Sequence, residues 1–564
     1  MSETRSDDPA PPVESYDAEA DEAQPGAPDH AEGEQRGEAD TGYVADVPFR
    51  SGVRHAQMPV VLATAAAWNG FVPPDPAESF TYVDLGCGDG TPITTAAATY
   101  PNATFIGVDF NAEHIESARE LADVAGATNI TLHHSGFHDL AGLDLPVVDF
   151  AAMHGIYSWL TAEEIGHVHR FLRTHLRAGG LFYAEYMSLP GKIAVQPVWD
   201  YVKSLVPAEG REPRARAAEA MELLRGMVRY RAGYLNANPP ALRAARAYLQ
   251  GERERQLDHF AHNVLAEGWR PRYADEMMVE LGEVGLSYAG RTTFRLNDLR
   301  TCLGPAQRSL IERRELDVGQ RESFKDFLRN EQTRCDVFIK DTAPDHAGAR
   351  DFLLAHQPCV LLPAARAAER YVRVVPGHRV PLTSRAHEAL FAHFDGAGGR
   401  LAECDAMAGV SAANREGLLK ELLAGEQLVP ARTTAHPVPE GYRGLPVQMV
   451  DGLNARLLAE ARDNLTPCRF VSPVTGGVAV RLTPMETQLL AARLEAGPDE
   501  AVAAAQRTAE QDTRQINVVG EGMQRLDQVD EAEFERAAKS LQGRKLYNLL
   551  RLGIATVAGA SDAG

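Results

Sequence analysis

At 564 residues and 44% apolar content, the chain is too long for one core and predicts three or four packed domains. No run of 18 apolar residues occurs, and no basic segment leads into an apolar one, which argues against a membrane span and a secretory signal. The formal charge of −21 is largely local, since 13 acidic residues against Arg5 and Arg36 place −11 within residues 1–42; no basic stripe stands out elsewhere, so nucleic acid is not an expected partner.

Residues 1–42 are rich in Glu, Asp, Ala, Pro and Gly and almost empty of large apolar side chains. Such a segment cannot offset its ordering entropy by burial, and it reads as a disordered acidic tail. At Tyr43 aromatics and apolar residues begin, and Met58 to Trp68 (MPVVLATAAAW) reads as a helix. A Pro-rich stretch over 71–79 separates this helix from the first β-prone run.

The segment Thr81 to Asp109 organises the chain. A β-prone run closes on Asp84, Gly86, Gly88 and Gly90 follow, then an Ala-rich helix, then a second β-prone run closing on Asp109. Strand, Gly-rich turn, helix, strand and acid is the first half of a nucleotide-binding α/β unit. The glycines permit a tight turn and close approach of a ligand to the backbone. The helix start offers free N–H groups, and an acid ending the second strand is placed to accept both hydroxyls of a ribose. A dinucleotide fingerprint would put its third small residue at 91, which is Thr91. The pattern here is acid-x-G-x-G-x-G, which resembles the first motif of class I S-adenosylmethionine-dependent methyltransferases.

Downstream, Asn111 is placed to cap a helix reaching Ala125, Ile130 to His133 reads as a third strand, and Val147 to His154 as a fourth. Thr161 to Leu176 reads as a helix, and Gly179-Gly180 starts a fifth strand, LFYAEYM. The alternation predicts a mostly parallel, doubly wound α/β sheet with a ligand beyond the carboxyl ends of its strands. From Val195 to Leu257 the pattern turns helical, and residues 321–341 read as a helix followed by a strand that could return to a sheet. Residues 384–432 read as three short helices and a β-prone tail, similar to a winged helix, with basic residues balanced by acids in a way that favours protein packing over DNA. The stretch from Gly441 reads as mainly helical. The six cysteines include no C-x-x-C pair and suit a reduced cytoplasmic protein without zinc or disulfides.

DLGCGDG, GVD, HGIYSW, LPG at 189–191, GWRPRYADEM and DFLRN together resemble a bacterial family of class I methyltransferases that carry a methyltransferase regulatory domain. Its best-known members are rickettsial protein-lysine methyltransferases. The resemblance implies a catalytic domain over 43–194, a helical regulatory or dimerisation domain over 195–345, a winged-helix-like middle domain over 346–440 and a helical C-terminal domain over 441–564. It implies S-adenosyl-L-methionine as cofactor, held by Tyr43, Asp84, Gly86, Cys87, Gly88, Gly90, Asp109, Phe110, Gly136, Phe137 and His154. Many class I enzymes place an Asp where this chain has Gly136, so the adenine amine would meet Asp139 or a backbone carbonyl instead, with Phe137 against the ring. His133, His134, His138 and Asp139 do not obviously converge along a strand, and no metal is expected.

Methyl transfer from a sulfonium is an in-line displacement that needs alignment and a neutral nucleophile. The rings of Tyr157, Trp159 and Tyr186 are candidates to line an acceptor channel by cation–π contact, or equally to be wall packing. His154 is the candidate general base, or equally a structural histidine at a strand end. Three functions stay open: a protein-lysine methyltransferase, a small-molecule O- or N-methyltransferase, and a catalytically silent cofactor-sensing regulator. The helical appendages suit docking or a homodimer.

Overall fold

The computed structural model describes residues 52–558 except 209–210, 251–252, 362–369, 376–377, 396–397 and 519–521. The expected acidic tail and the cofactor contact from Tyr43 lie outside the described residues.

The central sheet has seven strands in the order β3-β2-β1-β4-β5-β7-β6. Strands β1 (Thr81–Leu85), β2 (Thr104–Asp109), β3 (Ile130–His134), β4 (Val148–Met153) and β5 (Leu176–Met187) run parallel. β7 (Thr333–Lys340) runs antiparallel to β5, and β6 (Leu286–Arg291) pairs antiparallel with β7. The order reverses between β1 and β4, the switch point at which doubly wound sheets open a ligand crevice. The sheet thus continues past the boundary expected at 194: the segment over 195–345 is not wholly helical, because it supplies the sheet's last two strands.

Local sequence accounts for the elements around that crevice. α1 (Pro59–Trp68) is apolar almost throughout and all ten residues are buried, as expected of a helix covered on every side. It lies between one face of the sheet and the middle segment: Trp68 stacks on Phe294, just after β6 (Leu286–Arg291), and its carbonyl accepts from Lys420 Nζ of the middle segment at 2.8 Å. α2 (Thr91–Thr99) starts after Gly90, whose φ of +74 suits glycine alone in so tight a site, since a Cβ there would run into Ala118. α3 (Ala112–Ala125) is capped as the sequence predicts: Asn111 accepts from the N–H groups of Glu113 and His114, and Gly126 ends it at φ +65. α4 (Ala162–His175) begins in a capping box between Thr161 and Glu164.

Between β5 and β6 stand α5 (Gln196–Leu205), α6 (Pro213–Arg229), α7 (Gly233–Ala237), α8 (Pro239–Tyr248), α9 (Arg253–Val264) and α10 (Ala274–Gly282). α5, α6, α8 and α9 share a core of their own built on Trp199, Met221, Leu224 and Phe260, whereas α10 packs on the sheet through Met277 and Leu281. α11 (Leu299–Cys302), α12 (Pro305–Glu312) and α13 (Val318–Arg329) lead into β7. In the middle segment, the second of the three expected helices is replaced by two 3-10 turns, Leu401–Glu403 and Asp405–Met407, between helices Arg385–Phe394 and Ala412–Ala424. The C-terminal segment is mixed rather than helical, with hairpins Cys468–Ser472/Gly477–Leu482 and Gln515–Val518/Gly522–Arg525 among its helices.

Candidate active site

Alternation along the strands sorts the side chains at the crevice onto two faces. Tyr82, Phe105, Ala152, Tyr183 and Cys335 pack on the α1 side. Val83, Val108, Met153, Ala184 and Tyr186 pack on the opposite side, with α4 and α10. Asp84, Asp109 and Glu185 continue the first set at the carboxyl ends of β1, β2 and β5.

Asp109 is 5% exposed and joins the glycine turn to the start of α3. Its Oδ2 accepts from the Gly88 N–H at 2.9 Å, and its Oδ1 accepts from the Asn111 N–H at 3.0 Å and meets His114 Nδ1 at 3.1 Å. Asp84 accepts at Oδ2 from Gln57 Nε2 at 3.0 Å, and Gln57 is fixed in turn by its carbonyl, which accepts from the Tyr82 hydroxyl at 2.9 Å. Burial lifts the Asp84 carboxyl to about 7; the Gln57 hydrogen bond opposes the rise and the nearby Asp109 charge adds to it. Gly86 stands at φ +81, and a Cβ there would run into Ile156 Cδ1, with Phe137 close by. The bare backbone, the two acids and the apolar side chains of Ile156 and Phe137 form a cradle at the switch point. Cys87 is buried beneath it in the core on the α1 side, and burial and then the surrounding acids push its thiol well up. On the β3 side, Phe110 accepts at its carbonyl from His134 Nε2 at 2.8 Å, and a Cβ on Gly136 would lie 2.7 Å from the His138 ring.

The expected catalytic residues divide. His154 stays at the crevice, its Nδ1 sharing a hydrogen bond with the Tyr183 hydroxyl at 2.8 Å while the two rings lie nearly parallel. Burial, and then the Arg54 charge, hold its imidazole well below the usual range, so it is neutral at pH 7. The three aromatics are framework. Tyr157 is fully buried on the far face, its hydroxyl donating to Glu280 Oε1 at 2.9 Å and meeting His169 Nε2 at 2.9 Å. Tyr186 is fully buried on the same face and donates to Asp336 Oδ2 at 2.7 Å. Trp159 belongs to the core of the helical insertion, its indole N–H donating to the Asn263 carbonyl at 3.3 Å. Residues that sequence reasoning passed over stand at the site: Gln57, Arg54, Ile156, Tyr183 and Glu185. For the last two a signal existed, because in Tyr183-Ala184-Glu185-Tyr186 the first and third residues share the face opposite the fourth.

The motifs of HGIYSW and GWRPR meet behind the crevice. Arg270 donates its N–H to the Ser158 carbonyl at 2.7 Å, and the Ser158 hydroxyl accepts from the Met187 N–H at 2.8 Å. Arg272 donates through its N–H to the Met187 carbonyl at 3.0 Å, and its guanidinium lies over the Tyr157 ring.

Residues 77–200 match the family described as a methyltransferase domain, and residues 257–340 match a predicted methyltransferase regulatory domain. Fold and site together define a class I methyltransferase architecture in which the second match contributes β6 and β7 of the sheet. Among its relatives are an uncharacterized protein of Synechocystis sp., 32% identical over 53% of this chain and 58% of that one, and one of Rickettsia prowazekii, 26% identical over 52% and 53%. The chain spans a little over half the length of these curated relatives. PKMT2 from Rickettsia typhi, solved in complex with AdoHcy, shares the fold over 90% of this chain and 100% of its own, with a TM-score of 0.59 and 16% identity.

Proposed function

We propose that this chain is an S-adenosyl-L-methionine-dependent methyltransferase acting on protein lysine side chains. The observation that carries the reading is the pair of buried acids flanking a glycine turn at the switch point. In this reading Asp109 holds the ribose, the Gly86–Gly88 backbone lies against the cofactor, and Phe110, Gly136 and Phe137 frame the adenine. Asp84, positioned by Gln57, takes the cationic end of the ligand. The cofactor supplies a methyl group activated on a sulfonium. His154, neutral and oriented by Tyr183, stands where an acceptor amine would arrive, and the walls of Ile156 and Phe137 exclude water from the transfer. The complex of PKMT2 with AdoHcy supports the same ligand class, and the shared motifs with rickettsial-type enzymes support a lysine acceptor.

One observation favours a second reading, a cofactor-binding regulator without transfer: the aromatic channel expected from Tyr157, Trp159 and Tyr186 is packed shut. Incubating the full chain with tritiated S-adenosylmethionine and size-fractionated cell lysate separates the two. Label recovered as methyl-lysine in a protein supports the enzyme; tight cofactor binding with no labelled acceptor supports the regulator. Among the described residues no helix is long and apolar enough to cross a membrane. A cytoplasmic homodimer is part of the proposal, checked by fractionation and light scattering.

A further inference from the structure

We propose that Glu185 is the carboxylate that receives the acceptor's amino group, which rests on the lysine reading of this same site. Along the paired strands Met153 sits beside Ala184, so His154 and Glu185 are the next residues out at the mouth. Glu185 is 7% exposed, a carboxylate held inside the protein at the edge of a ligand crevice. It points to the α1 side, the face that carries Asp84, Asp109, His154 and Tyr183. Its Oε2 comes within 3.9 Å of where a Cβ on Gly155 would stand, so the carboxylate leans across the exit of β4. That exit is where the acceptor must approach the methyl group.

The charges around it are set for an amine that must be held and yet lose its proton. Glu185 acts on Tyr183, Cys335 and Lys192, and Arg54 acts on His154 and Tyr183 from the segment before α1. Lys192, just beyond the LPG turn, reports what this surrounding does to a lysine: burial lowers its affinity for a proton although Glu185 opposes the change. An acceptor lysine drawn in by Glu185 meets the same desolvation. It sheds one proton to water, its nitrogen lone pair forms the new N–C bond, and the S–C bond breaks with its electron pair left on a neutral thioether. The positive charge passes from sulfur to the methylated nitrogen, where Glu185 accepts from one of its two N–H groups. The carboxylate attracts a cationic acceptor and its cationic product more strongly than a neutral hydroxyl, which favours amines at this site.

Glu185→Gln keeps the shape and removes the charge. In the full chain it should bind S-adenosylmethionine within twofold of wild type by calorimetry and melt within a few degrees of it. Transfer to the lysate fraction that wild type labels should fall at least a hundredfold at low acceptor concentration, with the acceptor KM raised, and Glu185→Asp should recover part of the loss. Glu185→Gln with wild-type transfer would overturn the assignment, as would a loss of cofactor binding in step with transfer, which marks a structural role. Wild type that binds cofactor and labels no lysine overturns the lysine reading itself, and the assignment falls with it.

Discussion

The phenol of Tyr157 donates to Glu280 Oε1 at 2.9 Å, joining the exit of β4 to α10 across 123 residues of sequence. Arg272 completes the contact, donating from Nε to Glu280 Oε2 at 3.0 Å. The segment matching the regulatory domain therefore packs against the back of the candidate active site.

Tyr157→Phe should lower stability by about 1.5–3 kcal/mol, the usual loss for a buried hydrogen bond to a charged partner, with cofactor affinity little changed. Tyr157→Ala should cost about 3–5 kcal/mol through the cavity it opens. Urea unfolding monitored by circular dichroism checks both. A stable Tyr157→Ala protein that binds cofactor yet cannot transfer would return this ring to the acceptor channel.

Asp109→Ala should weaken S-adenosylmethionine binding by about 1.5–3 kcal/mol, because it removes a charged acceptor from the ribose and frees the Gly88 turn. Isothermal calorimetry measures it, and unchanged affinity would place the cofactor elsewhere.

Asp84 sets a pH dependence of definite sign. Its carboxyl titrates at about 7 in the fold, against about 3.9 in an unfolded chain. Between these values the folded state binds more protons, so stability falls as pH rises through the window and the loss is complete above it. Asp84→Asn should flatten that fall and raise the Tm at pH 8 in the absence of ligand. The ionised carboxylate is also the form that attracts a cation, so S-adenosylmethionine affinity should rise from pH 6 to pH 8 in wild type and stay level in Asp84→Asn. Calorimetry at the two pH values decides it.

Arg334 is fully buried and bound to Asp326 and Asp336 at 2.7 Å each, with Glu322 at 3.1 Å. Arg334→Met would remove the central cation of this network and leave Asp326 and Asp336 to Arg291 and Glu322 to Lys325, at a cost of about 3–5 kcal/mol. Arg334→Lys keeps the charge without the planar fork and should fall between. A loss under about 1 kcal/mol in denaturant unfolding of Arg334→Met would show that the network does not support the sheet edge.

A chain ending at residue 200, where the methyltransferase-domain match stops, lacks β7 and β6. It leaves the outer edge of β5 unpaired over Leu181 to Met187 and uncovers Phe182, Tyr183 and Tyr186, all fully buried in the intact protein. It should show no cooperative thermal transition and should aggregate, whereas a chain ending after Lys340 should be the first to retain the sheet. Near-UV circular dichroism distinguishes the two.

Contiguous residues carry what was legible beforehand. The alternation of β1 to β5 with α2 to α4, the Asn111 cap, the glycine turn and the acids ending β1 and β2 each depend on neighbours a few positions away. Periodicity and turn chemistry report such contacts directly. That α1 is a helix was likewise readable from its apolar run, whereas its place between the sheet and the middle segment was not. Tertiary structure alone decided which face of each strand looks onto the crevice. The peptide Tyr183-Ala184-Glu185-Tyr186 offers an aromatic to both faces, and its alternation is blind to what covers them. α1 on one side and α4 with α10 on the other bury Tyr186 on the far face and turn Tyr183, itself fully buried, and Glu185 toward the crevice side. Tyr157 and Trp159 were placed by partners more than a hundred residues away, Glu280 and Asn263, which no local pattern could announce. The closing of the sheet by β7 and β6 is of the same kind: long-range pairing is settled by the edge that β5 leaves open, and that edge exists only once the parallel strands have assembled.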